Sequence, residues 1–296
     1  MIDVPDYVKL LKTRSIGFIM AAVTIQSPLV SVDWLNKNRH ADNLVILDAS
    51  IPKVTSTSTD TTPKVKIPNS RFFDIKKAFS DTNAEFPNTL PSANQFQNAA
   101  RQIGINTNSA IVVYDNMGIY SSPRAWWLLK AFGHFNVAVL DGGLPEWMAA
   151  GLEVEEGIPN MTYDSGNFEA HYNQRFFTDF EGVKDQINNT NSLIIDSRSS
   201  ARFNSQAPEP RKGVRSGHIE GSVSLPYSEL LATHKLKEID EIKRIFNTLV
   251  DTEDTLVMSC GTGITACVSA LAANICGYDD IVVYDGSWTE YGTLTN

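Results

Sequence analysis

Cysteine is scarce in this chain: three residues in 296, at 260, 267 and 276, and none earlier. Three clustered thiols exclude a disulfide framework, and their spacing fits no zinc site, so no structural metal is expected. Basic residues are also in deficit. Lys and Arg total 25 against 34 Asp and Glu, a net charge of −9. With no Lys/Arg block to offset it, this balance leaves nucleic acid without an electrostatic footing. Long apolar runs are missing too, so no membrane span is expected. The run Ile16–Val23 behind Lys9, Lys12 and Arg14 loosely has the form of a signal peptide. Asp3 and Asp6 spoil its basic flank, and no small-residue cleavage site follows. Residues 1–27 therefore read as an extension, either targeting or lying upstream of a start at Met20.

What the chain does have is a repeat. Leu44–Ser50 parallels Leu193–Arg198, Lys66–Ser70 parallels His218–Ser222, Ala110–Asp115 parallels Thr255–Cys260, and Val137–Trp147 parallels Ile281–Tyr291. Four anchors in one order, about 145 residues apart, indicate a single duplication. In each half, short β-branched runs end in Asp, Gly or Cys and alternate with helical spacing, as over Ser122–Phe132 and Glu238–Leu249. The fold class is therefore α/β, with two tandem domains, each a central, mainly parallel sheet flanked by helices. The expected divisions are an extension over 1–27, a first domain over 28–150, a Gly/Asn/Asp/Glu-rich linker over 151–176 and a second domain over 177–296. The polar tract Thr55–Thr62 reads as an exposed loop.

The halves are chemically unequal. Cys260 follows the apolar run Leu256–Met258 and opens Gly261-Thr262-Gly263-Ile264-Thr265, after which helical spacing runs to Cys276 and stops at Gly277. A thiol between strand end and helix start faces the positive helix terminus and free N–H groups, which favour a thiolate. An isolated cysteine there is more often a small packed hydrophobe. Asp115 holds the equivalent place in the first half, so only the second half can do thiol chemistry. Cys267 and Cys276 fall on the helix and read as packing residues.

Together these residues resemble the tandem-domain rhodanese family of sulfurtransferases, from about Leu29 to Tyr291. The resemblance is carried by Asp196-Ser197-Arg198, Arg202-Phe203, Glu209-Pro210-Arg211, Gly217-His218-Ile219, the Cys260 loop and Tyr284-Asp285-Gly286-Ser287-Trp288. In the first half, Phe72–Ile75, Ser122–Trp127 and Leu140–Leu144 fit the family's inactive domain. The resemblance implies that Cys260 takes a sulfane sulfur from a small-molecule donor, becomes a persulfide and passes the sulfur to a thiol acceptor such as thioredoxin or a small thiol. Residues 261–265 would form the anion cradle, with no cofactor. Gly261-Thr262 matches members that prefer 3-mercaptopyruvate; those preferring thiosulfate tend to carry Arg-Lys there. Arg202 and Arg211 match the arginines that hold the keto-acid carboxylate, a role suited to the guanidinium fork.

The resemblance also exposes departures. Lys66 stands before the Ile-Pro pair where some members have a histidine, and Thr262 replaces a loop serine, so a protease-like relay is not carried over. His218 reads as a packing or capping residue. A C-x5-R phosphatase loop would need arginine at position 266, which is alanine. Thiosulfate as donor and a non-turnover sulfur-carrier or docking module remain the alternatives. A reduced thiol suits the cytoplasm, with organelle targeting or export through residues 1–27 as the alternative.

Overall fold

The computed structural model describes residues 22–53, 65–156, 162–250 and 254–295. The tract Thr55–Thr62 and residues 1–21 lie outside these. In the first half the chain forms β1 (Leu29–Val30), α1 (Val32–Asn38), β2 (Leu44–Asp48), β3 (Val65–Lys66), β4 (Arg71–Phe72), α2 (Ala93–Gln102), β5 (Ala110–Tyr114), α3 (Ser122–Ala131), β6 (Val137–Leu140) and α4 (Gly143–Ala149). After β7 (Glu155–Glu156), the second half forms β8 (Phe177–Thr178), α5 (Phe180–Ile187), β9 (Ser192–Asp196), α6 (Ser200–Phe203), β10 (Val223–Ser224), β11 (Leu231–Ala232), β12 (Lys235–Leu236), α7 (Ile239–Asn247), β13 (Thr255–Ser259), α8 (Ala266–Ile275), β14 (Ile281–Tyr284) and α9 (Ser287–Leu294).

The duplication is exact at the level of topology. One sheet runs β1-β6-β5-β2-β4 and the other β8-β14-β13-β9-β10, with every pairing within them parallel. The central strands β5 and β13 are almost wholly buried, which explains why their sequences, AIVVY and TLVMS, do not alternate with polar residues. Two antiparallel pairs, β3 with β7 and β11 with β12, lie outside the sheets. This is the α/β architecture expected, one parallel sheet to each half.

The halves meet through their helices. Helices α3 and α8 pack on one another, and a single core cluster runs from Val113 and Leu128 in one half to Val268 and Leu271 in the other. Both helices are buried nearly all round, so α8 is built almost entirely from small and apolar residues. The expected span Thr265–Cys276 tightens to Ala266–Ile275, with Thr265 and Cys276 as caps and Gly277 at φ +96°. Likewise Ser122–Phe132 ends at Ala131, and Glu238–Leu249 narrows to Ile239–Asn247.

The described residues between the halves are tied to the first half. Glu155 and Glu156 pair with β3, and amides of Gly166, Phe168, His171 and Asn173 donate to first-half carbonyls. Phe168, 2% exposed, packs edge-on against Phe96 and His134. Burial of that one ring fixes a stretch whose composition reads as linker. Residues 22–27 are also held, with Val23 hydrogen bonded to Asn43 and Ile25 to Asn136.

Candidate active site

Cys260 sits immediately beyond the carboxyl end of β13, the central strand of its sheet, where open α/β folds place their reactive groups. Its loop is held from behind by Ser287. The Ser287 hydroxyl accepts from the amides of Cys260 and Gly263, each at 3.1 Å, and donates to the Tyr284 carbonyl at 2.8 Å. Trp288 and Thr289 amides donate to the carbonyls of Cys260 and Gly261 at 2.9 and 3.0 Å. Ser287 adopts φ +50°, a strained value for a serine, and the bonds its side chain makes account for its retention there. Gly263 has φ +72°, and a Cβ there would lie 2.8 Å from the Asp285 carbonyl. It shapes the loop by its turn, and its amide is already engaged. Among the described residues, the amides of Gly261, Thr262, Ile264 and Thr265 donate to no protein acceptor.

The first half contains the same loop with an anion already in it. Asp115, at the position of Cys260, accepts from the amides of Tyr120, Ser121 and Ser122 at 2.8–2.9 Å and from the Ser122 hydroxyl at 2.7 Å. Gly118 at φ +104° matches Gly263, and the Leu144 amide bonds the Asp115 carbonyl as Trp288 bonds that of Cys260. Of the second-half amides equivalent to those on Asp115, Thr262 and Thr265 donate to no protein acceptor among the described residues, whereas the Cys267 amide donates to the Ile264 carbonyl. The comparison shows what this loop geometry favours: negative charge at a helix start.

Cys260 is 1% exposed and forms part of the lining of a cavity of about 300 Å³ between the halves. Cys267, on α8, is fully buried, and burial pushes its thiol up to about 12, against the opposing pull of Arg124. Cys276 is likewise raised by burial. Neither matches the setting of Cys260, and the sequence reading of both as packing residues agrees with this placement.

Arg202 and Arg211 line the same cavity as Cys260. Arg202 forks onto Glu209, through Nε at 3.2 Å and through Nη2. Glu209 is also gripped by Arg198, itself bound to Asp196 and to the Gly217 carbonyl. Arg202 passes so close to the loop that a Cβ on Gly261 would lie 3.2 Å from its Nη2. Arg211 differs: among the described residues it has no ion-pair or hydrogen-bond partner. Burial and the neighbouring Arg202 charge lower its pKa from the usual value.

The first half contributes more than the sequence indicated. Lys66, the residue before Ile-Pro, is buried elsewhere, bound to the Ser70 carbonyl and Glu155. The first-half group that meets the loop hydroxyl is Asn88, whose amide donates to Thr262 Oγ1 at 3.0 Å. With an oxygen lone pair engaged, the Thr262 proton is free for a ligand. Tyr120, Lys53 and Lys76 also line the cavity. Burial raises the Tyr120 pKa well above the usual phenol value, so its hydroxyl stays neutral. His218 stacks on Phe203 at 4.0 Å and bonds its carbonyl, the packing role expected of it. Ala266 begins α8 in the core, so the loop has no closing cation of the phosphatase kind.

The rhodanese-like domain family matches residues 31–150 and again 179–293. The mouse 3-mercaptopyruvate sulfurtransferase is 36% identical over 282 residues, covering 92% of this chain and 94% of the relative. A mitochondrial thiosulfate/3-mercaptopyruvate sulfurtransferase of Arabidopsis thaliana is 36% identical over 300 residues, covering 94% of this chain and 79% of the relative. The crystal structure of the Escherichia coli 3-mercaptopyruvate sulfotransferase superposes with a TM-score of 0.78 at 33% identity, covering 88% of this chain and 99% of that one. Two matched domains, a duplicated parallel-sheet topology and relatives of this identity along nearly the whole length establish that the chain belongs to the tandem rhodanese-like sulfurtransferases.

Proposed function

We propose that this sulfurtransferase takes sulfur from 3-mercaptopyruvate onto Cys260 and delivers it to a thiol. The observation that carries the reading is that Cys260, heading a loop whose amides of 261, 262, 264 and 265 donate to no described acceptor, lines one cavity with Arg202 and with Arg211, which is unpaired among the described residues. Arg211 and the free edge of Arg202 bind the donor carboxylate, charge-assisted in a half-buried site. The Cys260 thiolate attacks the donor sulfur. The carbon–sulfur bond breaks, its electron pair passes to the pyruvate enolate, and protonation of that carbon gives pyruvate. Thr262, oriented by Asn88, donates its hydroxyl to the keto oxygen as charge develops there. The outer sulfur of the persulfide rests against the amides of 261, 262, 264 and 265 until the acceptor arrives, a two-step cycle around a covalent intermediate.

Mercaptopyruvate suits this loop better than thiosulfate because Gly261 and Thr262 bring no side-chain cation to the sulfur. The test compares kcat/KM for the two donors and follows intact mass with donor alone. The expected result is higher kcat/KM for mercaptopyruvate and one extra sulfur mapped to Cys260, abolished in Cys260→Ser and retained in Cys267→Ser. Sulfur on Cys267, turnover by Cys260→Ser, or a preference for thiosulfate would each contradict the reading.

A further inference from the structure

The donor's single carboxylate accounts for Arg202 and Arg211 but leaves two cations of the cavity without a task. Lys53 follows β2 and Lys76 follows β4, so both stand beyond the carboxyl ends of first-half strands, facing the loop of the second half across the cavity. Neither has a carboxylate partner among the described residues. Among the described residues, Lys53 Nζ meets the Tyr120 ring, 5.5 Å from its centre. Only the Lys76 backbone amide is held, by Asp74. In a chain with nine more acids than bases, two unpaired lysines on the wall of one cavity make that wall locally positive.

We propose that Lys53 and Lys76 form an acceptor subsite, selecting small thiols that bear a carboxylate. The proposal rests on the sulfur-transfer reading of Cys260. The donor leaves as pyruvate, freeing the cavity, and the acceptor enters with its carboxylate on the lysines and its sulfur toward Cys260. The acceptor thiolate attacks the outer sulfur of the Cys260 persulfide. A new sulfur–sulfur bond forms to the acceptor, and the bond to Cys260 breaks with its electron pair returning to Cys260 as thiolate. The proton on the transferred sulfur stays with it, so the product is the acceptor persulfide and no oxidant or reductant is consumed. The two halves thus divide the labour: second-half arginines hold the donor, first-half lysines the acceptor.

The experiment uses the full chain, loaded with 3-mercaptopyruvate, and two acceptors, 3-mercaptopropionate and the neutral 2-mercaptoethanol. Their kcat/KM ratio is measured in wild type and in Lys53→Gln/Lys76→Gln, so intrinsic thiol reactivity cancels. Both lysines are exposed, and thermal melting confirms that the variant folds. The expected ratio falls by roughly twofold to thirtyfold in the variant, the range for two exposed ion pairs. In wild type it falls as salt rises from 0.05 to about 0.5 M, through screening. Persulfide loading of Cys260 without acceptor, read by mass, stays at the wild-type rate. An unchanged ratio, or a variant defect in loading instead, overturns the subsite. Failure of wild type to load any sulfur sinks the underlying reading as well, a result distinct from a loaded enzyme that ignores acceptor charge.

Discussion

Arg124, from the half without a cysteine, donates to Asp285 of the other half at 2.6 Å, and to the carbonyls of Asn88 and Gly263 at 2.9 and 3.3 Å. It is fully buried, with its guanidinium over the Phe177 ring. The Asp285 carboxylate also receives the Leu90 amide at 2.8 Å. One ion pair therefore fixes three things together: the Cys260 loop at Gly263, the Asn88 turn that reaches Thr262, and the apposition of the two halves. The first half, though it lacks a cysteine, is part of the frame around Cys260.

Breaking that pair from one side strands a buried charge. Arg124→Met is expected to destabilise the protein by about 3–5 kcal/mol. Asp285→Asn in the same chain removes the stranded charge while still accepting from Leu90. The double variant is therefore more stable than Arg124→Met alone, measured by urea unfolding. If the two losses simply add, the ion pair is not what couples these residues.

Arg202 and Arg211 are expected to differ in stability but not in direction of activity. Each change to Ala should lower kcat/KM for mercaptopyruvate roughly tenfold to a hundredfold, the effect of losing about 1.5–3 kcal/mol of charged hydrogen bonding. Arg211→Ala should melt no lower than wild type, since among the described residues it has no partner to lose and its burial disfavours the charge, whereas Arg202→Ala releases one side of Glu209 and melts lower. Unchanged kinetics in both would remove the arginines from the substrate site.

Donor choice can be probed in the loop itself. Gly261 does not need a positive φ, but a side chain there must push Arg202 aside, its Nη2 being 3.2 Å from the new Cβ. Gly261→Arg/Thr262→Lys should raise thiosulfate use by adding charge at the sulfur, and depress mercaptopyruvate use by crowding the keto acid and disturbing Arg202. A folded double variant with the wild-type donor ratio would show that loop charge does not select the donor.

Lys130, on α3, gives a pH signature away from the site. Burial, reinforced by the Arg175 charge, lowers its pKa from 10.5 to about 8, while its ammonium still rests 4.4 Å from the Trp126 ring centre. The folded state thus binds its proton less readily than the unfolded chain. The cost is fully present below pH 8 and relieved as pH rises from about 8 towards 10.5. Lys130→Met should therefore melt above wild type at pH 7, with the gap narrowing by pH 10. A gap that is constant across that range would show that Lys130 is not the titrating group.

The duplication, the parallel α/β class and the position of Cys260 were legible in the sequence because each is a local signal. Buried strands read as β-branched runs, helix ends as Gly277-type stops, and the place of Cys260 as a strand–loop–helix junction. The family motifs added Arg202 and Arg211, which the structure brings to one cavity with the cysteine. Partners distant in sequence leave no local signal. Lys66, before the Ile-Pro pair, turns to Ser70 and Glu155, and it is Asn88, 174 residues from Thr262, that makes the contact. Nothing around Pro87-Asn88-Thr89 marks that asparagine, because its role exists only when the halves are docked.

The sequence by itself determined which half can carry thiol chemistry, since only one copy of the loop has a cysteine. The tertiary structure alone decided which groups surround that sulfur: Ser287 behind the loop, Arg124 locking it to the other half, Asn88 on Thr262, and Lys53 and Lys76 across the cavity. The physical reason is that hydrogen bonds and charges act over a few ångströms in space, and periodicity along the chain records burial but not which distant side chain stands opposite.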